Sequence, residues 1–143
     1  MTQLPQSGSP NRIRVLFMDD EPLVRSSMAR MLRTLGCEVK LVGDGSEAIQ
    51  EFFAASTAGF PFDLVILDLH IPRGHGGAPT CKRIKEIDPE ARVLLSSGDI
   101  SHPIWRQFKK HGFCGALSKP FGVPELRQAL YQALAEPASP QGH

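Results

Sequence analysis

Several familiar signals are missing from this chain. Its three cysteines, Cys37, Cys81 and Cys114, are odd in number and form no CxxC pair. Neither a disulfide framework nor a structural zinc site is therefore expected, and buried thiols in a reducing compartment are the expectation. No apolar run approaches the ~18 residues of a membrane span. The first residues, MTQLPQSGSPNR, are polar and lack a signal-peptide core. These absences place the chain in the cytoplasm. Charge of either sign is not in excess, since 16 basic and 15 acidic residues leave a net +1. That balance supplies no electrostatic footprint for nucleic acid or an anionic membrane. No internal repeat is present.

What remains is an ordinary globular composition, 41% hydrophobic and 22% charged over 143 residues. Such a length suits one domain that buries roughly 68% of its unfolded surface. Residues 1–11 are rich in Ser, Pro, Gln and Gly and read as a disordered leader. Residues 136–143 read as a matching tail. Residues 12–135 form the domain.

Within it, strand and helix patterns alternate. Ile13 to Met18 is a buried strand. Pro22 opens a helix at its first turn, with Val24, Met28, Met31, Leu32 and Leu35 at helical period and Gly36 as the stop. Cys37, Val39 and Leu41 alternate with polar residues, as in a half-solvated edge strand. Asp44 and Glu47 resemble a capping box, and Ile49, Phe52 and Phe53 are the expected buried stripe. Leu64 to Leu67 is the most apolar run and reads as a central strand. A glycine-rich loop, 72–77, leads to a helix facing inward through Cys81, Ile84 and Ile87. Val93 to Leu95 is a fourth strand. Ile100, Ile104 and Phe108 predict a fourth helix, stopped by Gly112. Ala116 to Ser118 is a short strand, and Pro124 opens a last helix carrying Leu126, Ala129, Leu130, Ala133 and Leu134.

This βα alternation implies a parallel sheet covered on both faces. In such folds ligands bind beyond the carboxyl ends of the strands. Those ends carry Asp19-Asp20-Glu21, Asp68, Ser96-Ser97-Gly98 and Lys119-Pro120. Each is weak alone: acidic pairs are mostly solvated, and Lys-Pro is a common turn. Together they make one pocket from four segments. Crowded carboxylates need a cation, and oxygen-only ligation suits Mg²⁺ or Mn²⁺. Such a site can steer a phosphoryl group onto a carboxylate oxygen.

The motifs VLFMDDEPLVR, FDLVILDLHIP with GHGG, VLLSSG and LSKPF resemble the receiver domains of two-component response regulators, over nearly all of residues 12–135. The resemblance implies a flavodoxin-like (βα)5 three-layer fold with strand order 2-1-3-4-5. It implies Asp68 as the phosphoacceptor, with Ser97 as switch hydroxyl and Lys119 as its basic partner. Asp19, Asp20, Asp68 and the backbone carbonyl of His70 would hold Mg²⁺. It further implies a cis Lys119–Pro120 bond, and Pro72 and Gly76 in the turn after the acceptor strand. A sensor histidine kinase or phosphotransfer protein would be the donor. The downstream protein partner would meet the face of helix four, strand five and helix five, where Trp105 is a candidate anchor. On this reading the chain is a signalling module, not an enzyme, apart from self-catalysed phosphotransfer and autodephosphorylation.

Two positions depart from the pattern. Ala116 stands where receivers usually carry Tyr or Phe, so activation is expected to move the segment from Ser97 through helix four instead. His70 stands where Met, Asn or Thr is common, and is expected either to tune autodephosphorylation or to be simply exposed. His75 is read as solvent-exposed. A stand-alone regulator, a phosphorelay intermediate and an excised receiver of a hybrid kinase all stay open, and the GHGG and SSG stretches, which resemble hybrid-kinase receivers, favour the last. A pseudo-receiver that only mediates contacts is the second reading. A haloacid-dehalogenase-type phosphatase is the third, although that family sets DxD on its first strand where this chain has DDE.

Overall fold

The computed structural model describes residues 12–71 and 76–135. The expected leader and tail, Pro72 and His75 lie outside the described residues. Five strands and five helices alternate: β1 (Arg14–Met18), α1 (Pro22–Thr34), β2 (Glu38–Val42), α2 (Gly45–Thr57), β3 (Leu64–Asp68), α3 (Gly77–Ile87), β4 (Val93–Ser97), α4 (Pro103–Arg106), β5 (Gly115–Ser118) and α5 (Val123–Ala135). The strands form one parallel sheet in the order β2-β1-β3-β4-β5. The flavodoxin-like fold implied by the motifs is the fold observed.

Alternation along each strand divides the core in two. Val15, Phe17, Leu64, Ile66, Leu94 and Leu117 face α1 and α5, meeting Met28, Leu32, Leu126 and Leu130. Leu16, Met18, Val65, Leu67, Val93 and Leu95 face α2 and α3, meeting Ala48, Phe52, Cys81 and Ile84. The strands β3 and β4 are buried at every position, because helices cover both faces. Each apolar side chain among them contributes roughly 1.5–3 kcal/mol on burial. At the sheet edge, β2 shows the expected half-solvated alternation.

Local signals set most boundaries. Pro22 starts α1, where its missing N–H costs no hydrogen bond. Asp44 Oδ1 accepts from Glu47 N at 2.9 Å, and Glu47 Oε1 accepts in return from Gly43 N at 2.7 Å. The return bond thus reaches one residue further back than the usual capping box.

Three expectations need correction. Phe53 is 55% exposed and does not join the α2 stripe. It follows Phe52 by one residue, about 100° around the helix, which turns it away from Ala48 and Phe52. Cys114 is only partly buried, unlike Cys37 and Cys81. The fourth helix is reduced to the single turn of α4 and a 3-10 turn, Phe108–His111. The cause is Pro103: it bars His102 from helical geometry, and His102 sits extended at φ −65°, ψ 139°. Ahead of it, Asp99 Oδ1 accepts from the Ser101 backbone N and hydroxyl, which closes a turn instead of a helix. Ile100 is consequently exposed, while Ile104 and Phe108 still pack on the second core. Gly112, at φ 95°, ends the segment as expected.

Candidate functional site

The sheet alternation carries polar groups outward at the carboxyl ends. Asp19 follows Phe17 by two residues, Asp68 follows Ile66, and Lys119 follows Leu117, so all three continue the row that faces α1 and α5. Their side chains meet. Lys119 Nζ donates to Asp19 Oδ2 at 2.9 Å and to Asp68 Oδ1 at 3.3 Å. Asp19, Asp20 and Asp68 each offer a carboxylate oxygen, all within 4.8 Å of one another. Four of the residues singled out in the sequence are thus brought together from three strand ends.

Further contacts hold the geometry. Asp19 Oδ1 accepts from Glu21 N at 3.0 Å, and the Asp19 carbonyl accepts from Arg25 at 2.7 Å. Lys119 N donates to the Ser97 carbonyl at 2.8 Å, which ties β5 to β4 beside the cluster. The Lys119–Pro120 bond is cis, as expected. Glycines bring α3 directly onto the tip of β3. A Cβ on Gly77 would lie 2.7 Å from the Asp68 carbonyl oxygen, and one on Gly76 would lie 2.8 Å from that of Leu69. Only glycine permits this approach.

The electrostatics follow from burial. Asp19 and Asp68 are buried. Burial pushes the Asp68 carboxyl up to about 6, with Lys119 pulling it down and the negative charges of Asp19 and Asp20 adding to the rise. For Lys119, burial alone favours the neutral amine, but the hydrogen bond to Asp19 and the charges of Asp68 and Asp19 outweigh it and raise the pKa. Three carboxylates against one ammonium leave an excess of negative charge. The donor set is purely oxygen, which fits a hard divalent cation such as Mg²⁺ or Mn²⁺.

Ser97 is buried, and its hydroxyl accepts from Asp99 N at 2.9 Å. The His70 imidazole turns toward the β4–α4 loop, with Nε2 4.0 Å from Asp99 Oδ2 and its ring 5.2 Å from that of His102, edge to face. Sequence reasoning missed Asp99 and His102. Their signal was the Asp-x-x-His-Pro spacing, where a turn-forming Asp precedes a residue constrained by proline.

The response regulator receiver domain profile matches residues 15–131. The chain belongs to that family, the receiver domains of two-component signalling. It is 27% identical over 122 residues to the transcription factor SKN7 of Saccharomyces cerevisiae, covering 85% of this chain but 19% of that protein. The chain therefore spans about a fifth of the length of that relative. Among solved structures, it is similar to the chemotaxis protein CheY4 of Vibrio cholerae, with TM-score 0.75 and 28% identity over 86% of this chain and 99% of that one. It is also similar to the response regulator TrrA of Thermotoga maritima in complex with Mg²⁺ and beryllofluoride, with TM-score 0.74 and 26% identity over 85% and 98% of the two chains. No helix among the described residues is long and apolar enough to cross a membrane.

Proposed function

We propose that Asp68 accepts a phosphoryl group from a histidine kinase or phosphotransfer protein, and that this event switches binding to a downstream protein. The observation that carries the reading is the Lys119 ammonium bridging Asp19 and Asp68 inside a cluster of three carboxylates. In the transfer, an Asp68 carboxylate oxygen attacks phosphorus. The P–N bond to the donor histidine breaks, and its electron pair returns to the imidazole, which gains a proton. Phosphoryl transfer needs mainly positioning and charge neutralisation. Lys119 holds the Asp68 oxygen and then faces the new phosphoryl oxygens, and the Ser97 hydroxyl leaves Asp99 N to join them. Asp19, Asp20, Asp68 and the His70 carbonyl would hold Mg²⁺ (or Mn²⁺), which supplies charge neutralisation when bound. His70, across from Asp99, would tune the lifetime of the acyl phosphate.

The output face lies between α4, β5 and α5. There a cavity of about 770 Å³ is lined by Trp105, Phe108, Ala116, Ala129 and Ala133. The small side chain of Ala116 supports a switch that runs from Ser97 through α4, a segment held by few helical turns. Residues 12–135 act as one receiver unit in the cytoplasm.

The test is incubation with acetyl phosphate and Mg²⁺, read by intact mass. One added phosphoryl group in the wild type and none in Asp68→Asn is the expected result. Equal gain in both would overturn the assignment of Asp68, and no gain in either would favour a pseudo-receiver.

A further inference from the structure

The two serines that end β4 face opposite sides of the sheet. Ser97 follows Leu95, on the α2–α3 side, whereas Ser96 follows Leu94, on the α1–α5 side. Ser96 therefore shares its face with Asp19, Asp68 and Lys119. The register sharpens this: Ser96 pairs directly with Asp68 across β3–β4, and with Leu117 across β4–β5. Lys119, two residues beyond Leu117, reaches Asp68 and Asp19 from the far side of β4. Its side chain thus spans the strand end that carries Ser96.

Ser96 is fully buried, and its hydroxyl has no hydrogen-bond partner among the described residues. A buried orphan hydroxyl costs stability, and where one persists it needs an explanation. Neighbouring strands lie about 4.8 Å apart, a gap that a serine hydroxyl and an aspartyl oxygen span together. The hydroxyl is a rotor, free to donate in whichever direction an acceptor appears.

We infer that Ser96 is a hydrogen-bond donor to the aspartyl oxygen of Asp68 during loss of the phosphoryl group, an inference that rests on Asp68 being the phosphoacceptor. In hydrolysis, a water oxygen forms a bond to phosphorus and the bond from phosphorus to the Asp68 oxygen breaks. The electron pair returns to Asp68, and the water proton passes to phosphate or solvent. Negative charge therefore builds on the Asp68 carboxylate as it leaves. A hydroxyl donates more strongly to that carboxylate than to the neutral acyl group of the acyl phosphate from which it forms. Ser96 lowers the barrier to hydrolysis for this reason, and shortens the life of the phosphorylated state. This role is separate from that of Ser97, which stands one residue further along at the strand tip and whose hydroxyl already accepts from Asp99 N.

The full chain is phosphorylated with acetyl phosphate and Mg²⁺, the donor is removed, and decay is followed by intact mass. Ser96→Ala is expected to lengthen the phosphoryl lifetime about fivefold, the rate equivalent of one hydrogen bond. Its melting temperature should stay the same or rise, because the hydroxyl it removes is unpartnered. Ser96→Thr, which keeps the donor, should decay near the wild-type rate. A general loosening of the site would instead shorten the lifetime and lower the melting temperature. Decay of Ser96→Ala at or above the wild-type rate overturns the inference, as does a Thr variant that matches Ala. If the wild type gains no phosphoryl group, the reading of Asp68 itself falls, and this inference with it.

Discussion

Replacing Asp68 by asparagine should make the metal-free protein more stable at neutral pH. The fold raises the Asp68 carboxyl from 3.8 to about 6, chiefly by burial. A carboxyl raised on folding is one that the folded state prefers protonated. Its ionisation therefore costs nothing below the unfolded value near 4, costs progressively more between about 4 and 6, and costs its full amount above 6. The rise corresponds to roughly 3 kcal/mol. That figure is already net of the ion pair with Lys119 at 3.3 Å, and water at the strand tip screens part of it. A net gain of about 1–2 kcal/mol remains, or some 3–6 °C in melting temperature for a domain of this size. The assay is thermal melting of wild type and Asp68→Asn in EDTA, at intervals from pH 4 to pH 8. The stabilisation should be near zero at pH 4 and complete by pH 7. Added Mg²⁺ should stabilise the wild type more than the variant and so narrow the gap. An Asp68→Asn protein that melts below the wild type at pH 7.5 in EDTA would refute the argument that this carboxylate is held at a cost.

Three other outcomes follow from the same geometry. Lys119→Met strips the ammonium from two buried carboxylates and should cost about 2–4 kcal/mol at pH 8 in EDTA, seen in urea melts. That loss should already shrink as pH falls toward 6, because without the pull of Lys119 the Asp68 carboxyl takes up its proton at a higher pH than in the wild type. Gly77→Ala should lower stability by about 1–3 kcal/mol despite alanine's better helix propensity, since its Cβ would meet the Asp68 carbonyl at 2.7 Å; a melting temperature at or above wild type would show that the close approach is not real. Mg²⁺ binding, followed by calorimetry, should be flat above pH 7 and weaken about tenfold per pH unit below 6, as a proton on Asp68 competes with the cation.

Much of this site was legible in the sequence. Apolar runs set four of the strands and polar alternation set the edge strand β2, and the polar residues just beyond those runs mark the carboxyl end of the sheet. Asp19, Asp68 and Lys119 were found in that way. Pro22 and Gly112 fixed ends because their backbone restrictions act locally, whatever surrounds them. The two serines of β4 are an intermediate case. Period-two alternation already puts them on opposite faces, but only the register against β3 shows that Ser96 is the one beside Asp68.

Other features belong to the tertiary structure alone. Phe52 and Phe53 point about 100° apart on α2, and packing against the sheet chose Phe52 and left Phe53 outside. Ile100, Ile104 and Phe108 satisfy a helix pattern, yet Asp99 and Pro103 impose turn geometry first, and a three-residue stripe is too weak to overrule them. The reach of Lys119 across β4 to two acids, the burial that raises Asp68, and the approach of Gly77 to the acceptor strand depend on segments far apart in the chain. Sequence by itself specified which chemical groups sit at the strand ends, since that is a matter of local periodicity. Their distances, solvation and charge balance were decided by packing, because these quantities depend on which strands become neighbours and on how closely the helices cover them.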